Sequence, residues 1–310
     1  MIFETLEKLT NDRMVKALIG MGRQKFDDLV PVFASAENRI QQERLRKKEI
    51  KRLPSGGHQG VLNTPKRRLF FVLYYLKTYP TFDVLGFHFG LSAGHAHDFI
   101  ATYLTVLEGA LKTLTVFPHR HFKDVADFMQ AVETYDEVMI DGVEMPCVRP
   151  RDPDQQKDRY SGKKKRHTVK ALILSNSMKQ VLYLSPLSGG HHHDYALFKA
   201  CFDPQLAWFF TVTLRADLGF YGADKDYGRL SDIRLPHKKP RKSKNNPAPE
   251  LTPGQKQANR GQAAIRVVVE HAIAGLKHFY CLTHRLRNHS LTLIDRFFGV
   301  CAGLWNLKIA

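Results

Sequence analysis

Cysteine is scarce in this chain, and its cysteines are never closely paired. They lie at positions 147, 201, 281 and 301 of the 310 residues, and no Cys-x-x-Cys motif occurs. This spacing argues against a zinc ribbon and against a disulfide framework, and it suits a reducing cytosol.

Long apolar runs are missing as well. The longest, Leu69 to Leu76, is far too short to span a bilayer. The first ten residues lack a basic region followed by a long apolar stretch, so no signal peptide is expected. We therefore expect a protein that stays inside the cell and has no membrane partner.

Acidic residues are outnumbered by basic ones. The chain has 30 Asp and Glu against 47 Lys and Arg, which gives a net charge of +17 at pH 7. Such a surplus favours a polyanionic partner, because neutralising phosphates releases their condensed counterions. Nucleic acid is the leading candidate. An anionic membrane surface comes second, but no amphipathic basic helix supports it.

The first 60 residues are predicted to be a helical and basic segment. Apolar residues near helical spacing predict helices over residues 1–40. A basic stretch over residues 44–52 then runs into Pro54-Ser55-Gly56-Gly57, which indicates a loop. The basic stretch fits a solvated helix face and a DNA contact about equally well.

Residues 61–116 carry three predicted helices with a glycine, Gly90, between the second and the third. Suitable N-caps precede the three helices: Thr64, Thr81 and Ser92. This order is typical of a helix-turn-helix. The positions of the third helix that would face a DNA groove are Ala93, Gly94, His95, His97 and Asp98. None is a usual reader of base edges, so a dimer contact is an alternative role.

From about residue 133 the sequence changes to strands mixed with helices. Segments typical of strands are 137–145, 167–175, 180–184 and 209–214. Helices are predicted after Asp194, over 262–279 and over 291–307, and a Pro- and Lys-rich stretch at about 236–260 interrupts the pattern. This succession favours an α/β domain with a central sheet.

Two aspartates follow apolar segments that predict buried strands. Asp141 ends the run Val138-Met139-Ile140, and Asp217 comes shortly after Leu214. A run that is apolar on both faces indicates a central strand, and sites in open α/β sheets cluster at the carboxyl ends of strands. An aspartate that caps a helix or a turn is the alternative at both positions.

A third acid, Glu270, falls within the predicted helix 262–279. It lies four residues after Arg266 and seven before Lys277, so the three would share one helical face. The valines at 267–269 leave little of that face free, which weakens the alternative of a surface charge ladder. Three acids from two strands and a helix suit Mg²⁺ or Mn²⁺, and two such ions about 4 Å apart clamp both oxygens of a phosphodiester displacement.

Three sequence blocks resemble the signature of a known family. They are Ile140-Asp141-Gly142, Asp217-Leu218-Gly219-Phe220-Tyr221-Gly222 and Arg266-Val267-Val268-Val269-Glu270. Two further stretches, Tyr160 to Lys170 and Gly190 to Asp194, agree with it. In this order the blocks resemble the DDE transposases, most closely the bacterial insertion sequence five group and its Harbinger-like relatives. The resemblance spans residues from about 65 to 307.

The resemblance implies an α/β fold with a ribonuclease-H-like, mixed-sheet catalytic domain at 130–310. An all-helical helix-turn-helix domain at 61–116 precedes it, and a basic insertion interrupts it at about 225–260. Asp141 would lie on the first strand, Asp217 just past the fourth, and Glu270 on the following helix. These acids would hold two Mg²⁺ (or Mn²⁺) ions.

The same resemblance implies the reaction and the partners. Water nicks the transposon end, and the freed 3′-hydroxyl then attacks target DNA. The partners would be double-stranded DNA, both terminal inverted repeats and target, and a second copy of the chain in a homodimer on that DNA. The place of action would be the cytoplasm, at the nucleoid.

Basic residues and one histidine around this site are the expected DNA contacts: Lys163, Lys164, Lys165, Arg166, Lys170, His193, Lys238, Lys239, Arg241, Arg266 and Lys277. Arg266 and Lys277 match family positions that contact phosphates. The tyrosine that some relatives carry seven residues before the glutamate is Ala263 here. The basic insertion is interpreted as a mobile segment that tracks DNA, with plain surface disorder as the alternative.

A run of three histidines, His191, His192 and His193, suggests a transition-metal site. Three consecutive histidines cannot all point at one ion from a strand or a helix. We therefore expect a loop that lines the DNA groove, with Asp194 capping the next helix.

Two other functions stay open. One is a domesticated relative that binds DNA without cutting it, and the other is a ribonuclease-H-like nuclease of repair. The intact set of acids favours an active transposase over the first. The helix-turn-helix and the basic insertion argue mildly against the second.

Overall fold

The computed structural model describes residues 11–53, 60–228, 231–244 and 246–310. Two compact units make up the chain: Met1–Phe117 with Gly275–Ala310, and Pro118–Ala274. The apolar residues of the first ten positions and the loop at Pro54–Gly57 lie outside the described residues.

The described helices vary in length from 4 to 24 residues. In chain order they are α1 (Asp12–Ile19), α2 (Arg23–Arg46), α3 (Pro65–Thr78), α4 (Phe82–Phe89), α5 (Ala93–Thr113), α6 (Val125–Val132), α7 (Pro153–Arg159), α8 (Asp194–Cys201), α9 (Ala223–Asp226), α10 (Pro253–Leu276) and α11 (Leu291–Ile309). Short 3₁₀ turns at Leu218–Phe220 and Tyr280–Leu282 complete the helical structure of the described residues.

Helix α3 is the centre of the first unit. Its residues from Leu69 to Lys77 are all buried, as expected of a helix surrounded by protein. The ammonium group of Lys77 is satisfied by donating to the carbonyl oxygen of His278 at 2.7 Å. The rings of Tyr75 and Phe297 lie 5.9 Å apart and join α3 to α11 within this unit.

The predicted helix-turn-helix is present as α3, α4 and α5. Each predicted cap accepts a hydrogen bond from the backbone N–H three residues on: Thr64 from Arg67, Thr81 from Val84, and Ser92 from His95. Gly90 ends α4 with a left-handed φ of 67°, which favours glycine. The predicted apolar stripe of α5, from Ile100 to Leu111, is buried.

The second unit is built on a mixed sheet. Its strands are β1 (Glu137–Pro146), β2 (Tyr160–Ser161), β3 (Arg166–Asn176), β4 (Val181–Leu184), β5 (Ser188–Gly189), β6 (Thr213–Arg215) and β7 (Ile233–Arg234). The order is β2-β3-β1-β6-β7, and β4 and β5 also pair with β3. Strand β1 is antiparallel to β3 and parallel to β6, which is parallel to β7. The α/β, ribonuclease-H-like fold is confirmed.

The predicted strand at 209–214 is largely wrong, because only Thr213–Arg215 forms ladder bonds. Phe209 is fully buried, with its ring 5.3 Å from those of Phe128 and Phe202. Phe210, by contrast, is exposed. The apolar residue Phe209 therefore packs in an aromatic core instead of extending a strand. The chain joins the sheet only at Thr213.

The predicted mobile insertion is partly ordered structure. Residues Ile233–Arg234 are the edge strand β7, and α10 begins at Pro253, nine residues before the predicted start. A capping box sets this start, since Gln255 N–H donates to Thr252 Oγ1 at 3.2 Å and Thr252 N–H donates to Gln255 Oε1 at 3.0 Å. The N–H groups of the first turn have no partner within a helix, so Pro253 loses no hydrogen bond there. The helix can therefore begin at this proline.

Candidate active site

Asp141 lies in the middle of β1, not at its end as predicted. The strand continues to Pro146 because β3 pairs with it over that whole length. The parallel pairing with β6 stops earlier, at Met139 opposite Arg215. Asp141 therefore lies just beyond the point where the two parallel strands part, the kind of position where α/β sheets place functional groups.

Asp217 follows β6 directly and begins the 3₁₀ turn Leu218–Phe220. Its Oδ1 accepts the N–H of Gly219 at 2.7 Å, which fixes the carboxylate at the turn. Asp141 and Asp217 each lie two residues past Met139 and Arg215, the last pair of the parallel ladder. Both acids therefore follow the same end of the parallel pair, and the charge of Asp217 acts on the pKa of Asp141.

An ion pair holds this register. Arg215 Nε donates to Glu137 Oε2 at 2.6 Å, and so joins β6 to β1 two residues before Asp217. Both side chains are largely covered by protein. The pair therefore fixes how far β6 slides along β1, and with it the spacing of Asp141 and Asp217.

The electrostatics of Asp141 confirm that other acids are near it. The pKa of Asp141 is raised to about 6, chiefly by burial and in part by the charges of Asp217 and Asp194. The N–H of Gly142, which donates to Asp141 Oδ1 at 2.7 Å, and the charge of Arg266 act in the opposite direction. A carboxyl group that is costly to ionise is one that a bound cation would stabilise.

Glu270 lies on α10 beside Arg266. The guanidinium Nη2 of Arg266 donates to Glu270 Oε1 at 3.3 Å, as the four-residue spacing predicted. Because Arg266 also acts on the pKa of Asp141, the same guanidinium lies in the field of both acids. Arg266 is mostly covered, and its Nε has no hydrogen-bond partner.

The surroundings of Glu270 differ from the sequence prediction. Its side chain is 54% exposed, and Val267 is exposed as well, so the valines do not crowd that face. Only Val269 of the three is buried, because helical spacing turns it and Ala272 inward. Helix α10 ends at Leu276, so Lys277 follows the helix and does not extend the face shared by Arg266 and Glu270.

A fourth acid, Asp194, was missed as a site residue. It was predicted to cap the helix, but it is the first residue of α8, and His193 at the cap position makes no side-chain cap bond. Its carboxylate lies against Gly142, where a β-carbon would be 2.9 Å from Asp194 Cγ. Nothing in the local sequence distinguishes it from an ordinary helix-start aspartate.

Lys170 is the partner of Asp194. Its Nζ donates to Asp194 Oδ1 at 3.1 Å and to the carbonyl oxygen of His192 at 2.8 Å. Lys170 is buried and its Nζ binds partners within this unit, whereas its predicted direct DNA contact stays a prediction. The pair places one positive charge beside an otherwise acidic group of side chains.

The other predicted DNA contacts lie at the surface. Lys163, Lys164 and Lys165 lie in the exposed turn between β2 and β3, Arg166 is the exposed first residue of β3, and His193 is exposed before α8. Lys238, Lys239 and Arg241 are exposed after β7, and Lys238 Nζ lies 4.0 Å from the centre of the Tyr221 ring. These side chains are free to meet a polyanion, and Tyr221 follows Asp217 by four residues.

Comparison with known proteins defines the family. Residues 140–306 match the family model described as DDE superfamily endonuclease, and residues 61–113 match the helix-turn-helix of DDE superfamily endonuclease. The first match alone covers more than half of the chain, so the protein belongs to the DDE superfamily of endonucleases. The resemblance drawn from the sequence blocks, to a transposase of the insertion sequence five kind, is confirmed.

One relative matches over the whole length. It is a probable transposase for insertion sequence element IS702 from Microchaete diplosiphon, 28% identical over 315 residues, covering 100% of this chain and 99% of that protein. No solved structure matches the chain significantly. Among the described residues, no helix is both long and apolar enough to cross a membrane.

Proposed function

We propose that this protein is an active transposase that cuts the ends of its insertion sequence and joins the freed 3′-hydroxyl to target DNA. Asp141, Asp217 and Glu270 are its catalytic acids. The observation that supports this most is that Asp141 and Asp217 each lie two residues past the last β1–β6 pair, and that burial and the charge of Asp217 raise the pKa of Asp141. The family match and the full-length relative supply the reaction class.

The donor set suits two divalent cations. Asp141, Asp217 and Glu270 offer only carboxylate oxygens, the ligands that Mg²⁺ and Mn²⁺ prefer. Burial and neighbouring acids make an ionised Asp141 unfavourable, and positive charge at this point would relieve that cost. When bound, the cations would supply Lewis-acid stabilisation to the attacking and leaving oxygens of the phosphodiester.

The chain's own residues bind and orient the DNA backbone. The hydrogen bonds from the N–H groups of Gly142 and Gly219 fix one oxygen each of Asp141 and Asp217, which leaves the second oxygens for ligation. Arg266 holds Glu270 through Nη2. The exposed lysines at 163–165 and 238–239 neutralise phosphates further along the duplex.

We assign roles to three regions of the sequence accordingly. The helix-turn-helix region at 61–116 binds the terminal inverted repeats, residues 130–310 carry the catalytic acids, and the N-terminal segment 1–60 adds positive charge. The start of α5 offers exposed His95, His97 and Asp98 rather than Arg or Lys. Sequence readout by this helix therefore relies on histidine donors, with a homodimer on DNA contributing a second copy.

Cleavage of a duplex that carries the transposon end tests the proposal. Asp141→Asn is expected to abolish cutting and joining in Mg²⁺ while DNA binding changes little, because Asn cannot supply the anionic oxygen. Asp154→Asn, at a carboxylate that is 92% exposed, is the matched control and should cut normally. Equal cutting by the Asp141 variant would rule out the assigned acids. Binding without cutting by the unaltered protein would identify a domesticated DNA-binding relative.

A further inference from the structure

A cluster of metal-binding side chains, distinct from the catalytic acids, lies in the second unit. We propose that Asp158, His191 and His192 form a second metal site, and that it binds zinc. Asp158 belongs to the last turn of α7, and the two histidines follow β5. One potential ligand atom from each residue lies within 4.8 Å of the other two.

Two of the three ligand–ligand distances already suit a tetrahedral ion. His192 Nε2 lies 3.2 Å and His191 Nδ1 lies 3.4 Å from the same oxygen, Asp158 Oδ1. Zinc binds nitrogen and carboxylate oxygen at about 2.0–2.2 Å, which places tetrahedral ligands about 3.3 Å apart. The remaining distance, between the two imidazoles, closes by a small ring rotation, since the ring centres are already 3.9 Å apart.

The backbone brings these groups together before any ion binds. The N–H of His191 donates to the carbonyl oxygen of Asp158 at 3.1 Å, which ties the turn after β5 to α7. Gly189 permits this approach, because a β-carbon there would lie 2.2 Å from both the carbonyl and a carboxylate oxygen of Asp158. A preformed arrangement of this kind lowers the ordering cost of binding.

The ligand types select zinc over the ions of the catalytic site. Imidazole nitrogen suits Zn²⁺, whereas Mg²⁺ prefers an all-oxygen shell. The three side chains are between 39% and 50% exposed, so solvent completes the coordination, as in zinc sites with three protein ligands.

Of the three consecutive histidines, His191 and His192 are proposed ligands and His193 is not. The prediction that three consecutive histidines cannot share an ion still holds, since the cluster uses two of them and takes its third ligand from α7. His193 stands at the cap position of α8 and is outside the cluster. It therefore serves as an internal control of the same residue type.

Protons compete with the ion. In the metal-free protein His191 Nδ1 also lies 2.9 Å from the carbonyl oxygen of Asp158, a distance at which it donates its proton to that oxygen. Zinc binding requires this proton to leave Nδ1, with the neutral tautomer keeping its proton on Nε2.

An occupied site would stabilise the start of α8. The carbonyl oxygen of His192 accepts from Lys170, which also binds Asp194 beside Gly142. Zinc bound to His191 and His192 would thus fix the turn that contains the carbonyl oxygen of His192, and with it the position of Lys170 beside Asp194.

The test is zinc titration of the metal-free full-length protein against a chromophoric chelator, with Mg²⁺ in excess so that the acidic site is occupied. We expect one zinc site at neutral pH, weakened at least about tenfold by His192→Ala. His192→Gln keeps a hydrogen-bond donor for Asp158 without an imidazole and should also lose zinc, which guards against a folding defect in the alanine variant. Cobalt absorption in the visible range reports the ligands directly.

The control variants decide the outcome. His193→Ala and Asp141→Asn should both bind zinc like the unaltered protein, which separates this site from the histidine run in general and from the catalytic acids. Zinc binding that survives His191→Ala or His192→Gln would overturn the proposal, as would loss in the His193 variant equal to that in the His192 variants. DNA cleavage does not enter this measurement, so it stands apart from the proposed transposase activity.

Discussion

Replacing Asp141 by Asn is expected to stabilise the metal-free protein at neutral pH. The carboxyl group has its pKa raised from 3.8 to about 6, chiefly by burial and then by the neighbouring charges of Asp217 and Asp194. An unfolded chain ionises this group near its ordinary pKa, whereas the folded chain resists ionisation. Ionisation of Asp141 therefore costs the folded state stability, and Asn removes that cost while its amide oxygen can still accept from Gly142.

The magnitude follows from the pKa difference. At about 1.4 kcal/mol per pH unit, a rise from 3.8 to about 6 corresponds to about 3 kcal/mol once Asp141 is fully ionised. The loss of stability develops as pH rises through the interval between the two values, and it is complete above the folded value. For a domain of about 150–250 residues, about 3 kcal/mol moves the melting temperature by about 6–12 °C.

Calorimetry in the presence of a chelator measures this effect. Asp141→Asn should melt above the unaltered protein at pH 8, and the difference should shrink steadily towards pH 4. Asp154→Asn, at an exposed carboxylate, should show neither change. Adding Mg²⁺ should raise the melting temperature of the unaltered protein and leave the Asp141 variant unchanged. A variant that melts lower than the unaltered protein, or a difference independent of pH, would refute the reasoning.

Three further outcomes are expected. Thr252→Val should lower unfolding free energy by about 1 kcal/mol, measured by urea titration, because α10 loses its capping box; an unchanged midpoint would show that the cap is dispensable. Lys170→Met should cost about 2 kcal/mol in the same assay, less than a fully buried pair, because its partner Asp194 is 29% exposed; no loss would mean that the pair is neutral. Replacing the lysines at 163–165 by Gln should reduce the salt slope of DNA binding by about 0.9 per lysine, measured by fluorescence anisotropy; an unaltered slope would remove that turn from the DNA contact.

Local sequence rules predicted the helix-turn-helix well, because its caps are encoded within three residues of their targets. Thr64, Thr81 and Ser92 each make the predicted bond. The start of α10 was missed although the same rule applies at Thr252 and Gln255. There the surrounding prolines and lysines suggested a loop. The short capping pattern of Thr252 and Gln255, which does mark the start of the helix, was given too little weight.

The errors in the second unit come from tertiary contacts. Phe209 was predicted to extend a strand, but its ring packs among other aromatic rings, and only Thr213–Arg215 reaches the sheet. The contact of buried Lys170 with Asp194, a residue 24 positions away, was not predicted. Pairing across such distances leaves no local pattern. Asp141 and Asp217 were identifiable because both follow apolar segments that predict strands, whereas their mutual register depends on the pairing of β1 with β6.

Crystals soaked in Mn²⁺ with bound DNA provide the most direct measurement, through the anomalous signal of the metal. If the catalytic assignment is right, manganese lies between Asp141 and Asp217 within about 2.0–2.4 Å of an oxygen of each, with Glu270 ligating an ion in the same site. Manganese found elsewhere, with these carboxylates unligated, would contradict it.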